Sequence, residues 1–154
     1  MRLRTEAAVS LMTFIILILC PGSHPLYSQQ DTWVTIFDGK TLDNWDGDPT
    51  FWRVEDETIT GQTTSEKVTP GNTFIIWRGG ETADFELKLD YKIIGGNSGI
   101  QYRSFEVPNS KWVIGGYQAD FEAGDTYSGI NYGERFRGIL ALRGEKTVIG
   151  DDHK

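Results

Sequence analysis

Cysteine is almost absent from this chain of 154 residues: Cys20 is the only one, at the end of an apolar run near the N-terminus. A domain that follows it has no thiol for a disulfide, a zinc–thiolate site or a cysteine nucleophile. Histidine is nearly as scarce, with His24 close behind Cys20 and His153 next to the last residue. Acid–base chemistry in the body of the chain therefore rests on carboxylates, tyrosine, lysine or arginine-assisted water. Long amphipathic helical patterns, internal repeats and low-complexity linkers are also missing. Positive charge is in deficit, 15 basic against 22 acidic residues. That balance disfavours nucleic acid or an anionic membrane surface as a partner.

The first residues read as a targeting segment. Arg2 and Arg4 open it, and Val9 to Cys20 is apolar but short for a membrane span. Turn formers follow, with Ser28 at a cleavage point. The expected organisation is a signal peptide over residues 1–28 and one domain over 29–154, secreted or periplasmic. Lipid anchoring through Cys20 is the lesser alternative, because Leu19 replaces the small residue that lipoprotein processing prefers. Cleavage removes Arg2, Arg4 and Glu6, which leaves 13 basic and 21 acidic residues and no membrane span.

What is present is glycine, 18 residues of it, and short alternating segments. In Asp84–Ile93, Phe85, Leu87, Leu89, Tyr91 and Ile93 alternate with Glu86, Lys88, Asp90 and Lys92. That pattern predicts a half-buried strand. Shorter strands are expected at 33–37, 51–55, 58–62, 72–78, 98–104, 116–122, 138–142 and 146–149. Asp56 and Glu57 would turn the 51–62 hairpin, although they are not the preferred pair. Such spacing argues for an all-β antiparallel sandwich or jelly roll. Trp45 and Trp52 are expected in the interior, with a sugar-stacking surface as the sharper alternative.

The polar residues of two strands suggest a site. If 117–122 is extended, Gln118, Asp120 and Glu122 share a face opposite Tyr117, Ala119 and Phe121. Asp120 and Glu122 would then sit about 6.5–7 Å apart, within range of one glycosidic centre, and their repulsion could raise one pKa. Gln101 and Arg103, interleaved with Ile100 and Tyr102, offer an amide and a planar donor fork suited to sugar hydroxyls or a carbonyl oxygen. Glu134 is a further base or an ion-pair partner for Arg135 or Arg137. The plainer reading of all these groups is a solvated outer face of an acidic protein. Oxygen ligands for a divalent cation are plentiful, but no metal-binding loop stands out and no motif calls for a cofactor.

The segments FDGKTLDNW, NTFIIWRGGETADFELKLDYKI, GGNSGIQYRS, GGYQADFEAG and YGERFRGIL together resemble the 3-keto-disaccharide hydrolase domain family, from about Val34 to about Val148. The resemblance implies a concanavalin A-like lectin/glucanase jelly roll with a ligand groove. It also implies a carbohydrate substrate already oxidised to a ketone at C3, supplied by an upstream glycoside 3-oxidoreductase. A base would take the C2 proton, the C1 substituent would leave, and water would add. The candidate catalytic residues are Asp120, then Glu134 and Glu122. Gln101 or Arg103 would hold the enolate oxygen, with Gln118, Tyr102 and Arg135 completing the binding set. Family members usually continue beyond the equivalent of this C-terminus, so the expected sandwich is truncated. A non-catalytic lectin-like module and an inactive fragment are the alternatives.

Overall fold

The computed structural model describes residues 1–6, 33–148 and 150. Among them there is no helix; eleven strands pair throughout in antiparallel fashion. They are β1 (Arg2–Glu6), β2 (Val34–Thr35), β3 (Trp45–Gly47), β4 (Trp52–Glu55), β5 (Thr58–Gly61), β6 (Ile75–Trp77), β7 (Asp84–Lys88), β8 (Asn97–Glu106), β9 (Ile114–Glu122), β10 (Asn131–Glu134) and β11 (Gly138–Ala141). The largest sheet has the order β11-β10-β9-β8, and a second runs β2-β1-β7; β3-β6 and β4-β5 are two-stranded ribbons.

Alternation decides which side chains meet. On one side of the β8–β9 pair, Ile100, Ala119 and Phe121 face Leu87, Leu89 and Tyr91 across an open hollow. The Tyr91 and Phe121 rings stack with centroids 4.1 Å apart. Tyr102 lies on the same side, stacked on Tyr117 at 5.7 Å, and its hydroxyl donates to Asn131 Oδ1 at 3.1 Å. The buried hydrophobics are few among the described residues: Leu3, Phe51, Ile114 and Ile130.

The strand expected over 84–93 is observed over its first half. The hairpin expected across Asp56 and Glu57 pairs Glu55 with Thr58. Both turn residues hold positive φ, 48° and 59°, the backbone of a two-residue turn whose twist matches its flanking strands. The segment 146–149 was expected to be extended; 146–148 form no ladder, and Thr147 instead bonds the Leu140 carbonyl. Trp45 packs half-buried with its indole N–H on the Ile36 carbonyl at 2.8 Å, and Trp52 lies half-buried against Gly47 and Gly61.

The N-terminal residues assigned to the leader take part in the fold. β1 lies between β2 and β7, with Leu3 opposite both Val34 and Leu87. A chain cleaved after Ser28 would lack this strand. The apolar run from Val9, Cys20 and His153 lies outside the described residues. No helix among the described residues is long and apolar enough to cross a membrane.

A charged network ties the ribbon β3–β6 to the end of β8. Arg78 binds Glu106 at 2.6 Å and Asp46 at 2.9 Å, and Asp46 accepts the indole N–H of Trp112 at 2.7 Å. The Trp112 N–H and then Arg78 hold the Asp46 carboxyl below its ordinary pKa; Arg78 does the same for Glu106. Anchoring of this kind offsets the left-handed backbone of Trp112, φ 52°, which is unfavourable for a bulky side chain.

At the entry to β9, Gly116 has φ +142°, and a Cβ there would lie 2.8 Å from the Ser104 backbone. Gly116→Ala therefore combines backbone strain with a clash that no rotamer relieves. The expected loss is roughly 1–3 kcal/mol or more, read as a lower urea midpoint at unchanged slope.

Candidate functional site

The side of the β8–β9–β10 sheet opposite the aromatic stack carries the polar residues. Gln101 of β8 lies directly across from Gln118 of β9, and Tyr132 of β10 lies across from Gln118 on its other side. Asp120 stands two residues further along β9, opposite Gly99. A Cβ at position 99 would sit 2.6 Å from Gln118 Cγ, so glycine there leaves the space that the Gln118 side chain uses.

These groups are buried rather than solvated. Gln118 is 8% exposed and Asp120 9%. The plainer reading, a solvated outer face, therefore fails for both. Gln118 Nε2 donates to Asp120 Oδ1 at 2.5 Å. Both amide atoms of Gln101 are buried and have no protein partner. An unpaired buried amide costs about 1–3 kcal/mol, so this side chain is poised to bond something not supplied by its neighbours. The Asp120 carboxyl has its pKa raised above the ordinary value. Burial of the charged form is the main cause and the negative charge of Glu122 adds to it, while the Gln118 N–H opposes it.

Glu134 is equally buried, on the same face at the other end of the row. It pairs with Gly116, four residues along β9 from Asp120. That offset is about 13 Å along the strand. Asn72 Nδ2 donates to Glu134 Oε2 at 3.2 Å, and Arg135 Nε lies 3.8 Å from Oε1.

The other candidates are placed elsewhere. Glu122 turns its carboxylate onto the next loop, where it accepts the backbone N–H of Thr126 and, at 2.6 Å, that of Tyr127. It staples a turn and is not a free partner for Asp120. Arg103 does not share the Gln101 face. A bulge between Tyr102 and Phe105 sets Arg103 in a left-handed conformation, φ 47°, and its guanidinium pairs with Asp84 at 2.7 Å. Tyr102 belongs to the aromatic side. Arg135 is exposed in the β10–β11 turn with φ 61°. The oxygen ligands considered for a divalent cation do not converge: no group of three or more acidic or histidine side chains among the described residues could hold a metal ion.

Two neighbours escaped the sequence reading. Tyr132 could have been found by reading 131–134 as a strand, since period two puts it with Glu134. Asn72 carried no signal, because its contact with Glu134 spans 62 positions.

The family described as 3-keto-alpha-glucoside-1,2-lyase-like domain matches residues 32–150. The chain belongs to this family. No curated protein and no solved structure matches the chain. Within this lyase-like domain the matched span takes in every strand from β2 to β11, and so the whole buried row.

The raised Asp120 pKa sets a pH signature. At low pH the carboxyl is protonated in folded and unfolded chains alike. As pH rises through the ordinary carboxylate value, the unfolded chain releases its proton first, so this group's contribution to stability is lost up to the raised value. Asp120→Asn should remove that loss. Its urea midpoint relative to wild type should climb from acid toward neutral pH; a flat difference would contradict the assignment.

Proposed function

We propose that this chain is a lyase or hydrolase for 3-keto-glycosides, exported from the cell, with its site on the buried face of β8–β10 and a concanavalin-like jelly roll as its architecture. The observation that carries the reading is the unpartnered Gln101 amide on the same face as a buried Asp120 whose pKa is raised, within a domain of this family.

The chemistry follows from one activated C–H bond. A ketone at C3 acidifies the C2 proton. Asp120, once ionised, is a stronger base than an ordinary carboxylate because burial disfavours its charge. It takes the C2 proton and becomes a neutral acid, the form its surroundings favour. Electrons from the C2–H bond form the enolate. The Gln101 amide N–H, which has no protein acceptor, donates to the enolate oxygen. The enolate then re-forms the ketone and expels the C1 oxygen, which collects a proton from Asp120. Water adding across the C1–C2 double bond completes hydrolysis. Gln118 orients Asp120 throughout. Glu134, a strand's length away, is placed to bind hydroxyls on the far part of the substrate.

A nitrophenyl 3-keto-glucoside tests this directly. The chain should release nitrophenol, and Asp120→Asn should lower kcat by about 10²–10⁴-fold. Gln101→Leu should lower kcat while keeping the fold, because it removes a donor and relieves an unpaired amide. Binding of the sugar without release, unchanged by Asp120→Asn, would point to a lectin-like module instead.

A further inference from the structure

We propose that the outer edge of β7 is a homodimer interface that receives β7 of a second copy of this chain, antiparallel and centred on Leu87. β7 is the last strand of its sheet, and among the described residues no strand pairs with its outer side. An open edge is a template for another strand unless a bulge, a proline or an inward charge blunts it, and charges along the edge repel any partner that does not complement them. β8, the other long edge strand, is blunted by its bulge and by the left-handed Arg103. β7 has none of these features: Phe85 and Leu87 are half-buried on one face, Glu86 and Lys88 exposed on the other, and Leu89 continues the pattern.

Charge complementarity selects the partner and the register. About Leu87, the Leu87 side chains of the two copies meet and Phe85 of each packs beside Leu89 of the other. On the outer face Glu86 of each copy meets Lys88 of the other, twice by symmetry. Lys88 already leans over the Trp33 ring at 4.1 Å, and its exposed ammonium can take a second partner. Asp84 would lie opposite Asp90, but Asp84 is neutralised by Arg103 at 2.7 Å. A register centred on Glu86 sets two glutamates against each other, one centred on Lys88 sets two lysines together, and an odd shift turns the leucine face against the charged face.

Sedimentation equilibrium of the full chain under reducing conditions is the test, with far-UV circular dichroism as the check on folding. Wild type should be dimeric. Glu86→Lys and Lys88→Glu alone should each raise the dissociation constant about tenfold or more, since two attractive pairs become repulsive. The double exchange E86K/K88E should restore the dimer, which the Glu86-centred and Lys88-centred registers do not allow. A monomeric wild type, or a double exchange as weak as the singles, overturns the proposal. Should a single variant lose its strand signal, the decision passes to Leu87→Cys combined with Cys20→Ser. Its conversion to a disulfide-linked dimer on oxidation supports the interface, and failure to link overturns it.

Discussion

The register of β8 against β9 is the constraint on which the rest depends. With Gln101 opposite Gln118 and Ile100 opposite Ala119, the side chains of Ile100, Tyr102, Tyr117, Ala119 and Phe121 fall on one side and those of Gln101, Gln118 and Asp120 on the other. A slip of one residue would exchange the two faces at once and set Gln118 and Asp120 against Leu87 and Tyr91. Stacked rings on one side, Tyr91 on Phe121 and Tyr102 on Tyr117, resist that slip. Gly99 and Gly116 let the strands approach where a Cβ would collide. The bulge after Tyr102 then ends the regular pattern and sends Arg103 to Asp84.

Holding that register has a cost on the polar side. Three of the most buried side chains among the described residues are Gln118, Asp120 and Glu134, which an apolar core would exclude. All three are partly compensated: Gln118 and Asp120 bond each other, and Asn72 reaches Glu134. Gln101 is not compensated. Proteins that violate local rules of polar satisfaction tend to do so where a ligand completes the set. Among the described residues the Trp52 indole N–H on β4 is likewise buried without a partner, but only Gln101 stands on the strands that carry the buried acid.

Much of this was legible in the residues. Period-two alternation identified the long strands and their faces, because a strand with one buried side leaves that trace whatever its partners. It misplaced Arg103, since alternation extrapolates through a bulge and nothing in the order Tyr102–Arg103–Ser104 announces one. Glu122 was assigned to the Asp120 face by the same rule. Its backbone obeys the rule, but its flexible side chain bends to cap the Thr126 and Tyr127 amides. The Trp112 anchor on Asp46 and the Asn72 contact on Glu134 join positions more than 60 residues apart, and single-chain patterns carry no information about such pairs. The participation of Arg2–Glu6 in a sheet was hidden for a different reason. A basic start before an apolar run looks like an address, and an address and a strand can be written in the same few residues.

The spacing of the carboxylates bears on which chemistry this face can support. Direct displacement at a glycosidic carbon uses two acids about 5–9.5 Å apart, one on each side of the bond. Asp120 has no such partner here: Glu122 is spent on a turn, and Glu134 begins about 13 Å away along the strand. A single buried acid suffices only if the substrate brings its own activation. A ketone next to the C–H bond does so, because it turns the hard step into a proton transfer and shifts the developing charge onto an oxygen. That oxygen then needs a donor, not a second acid. An amide held in the row without a partner of its own is the group that such an oxygen would meet.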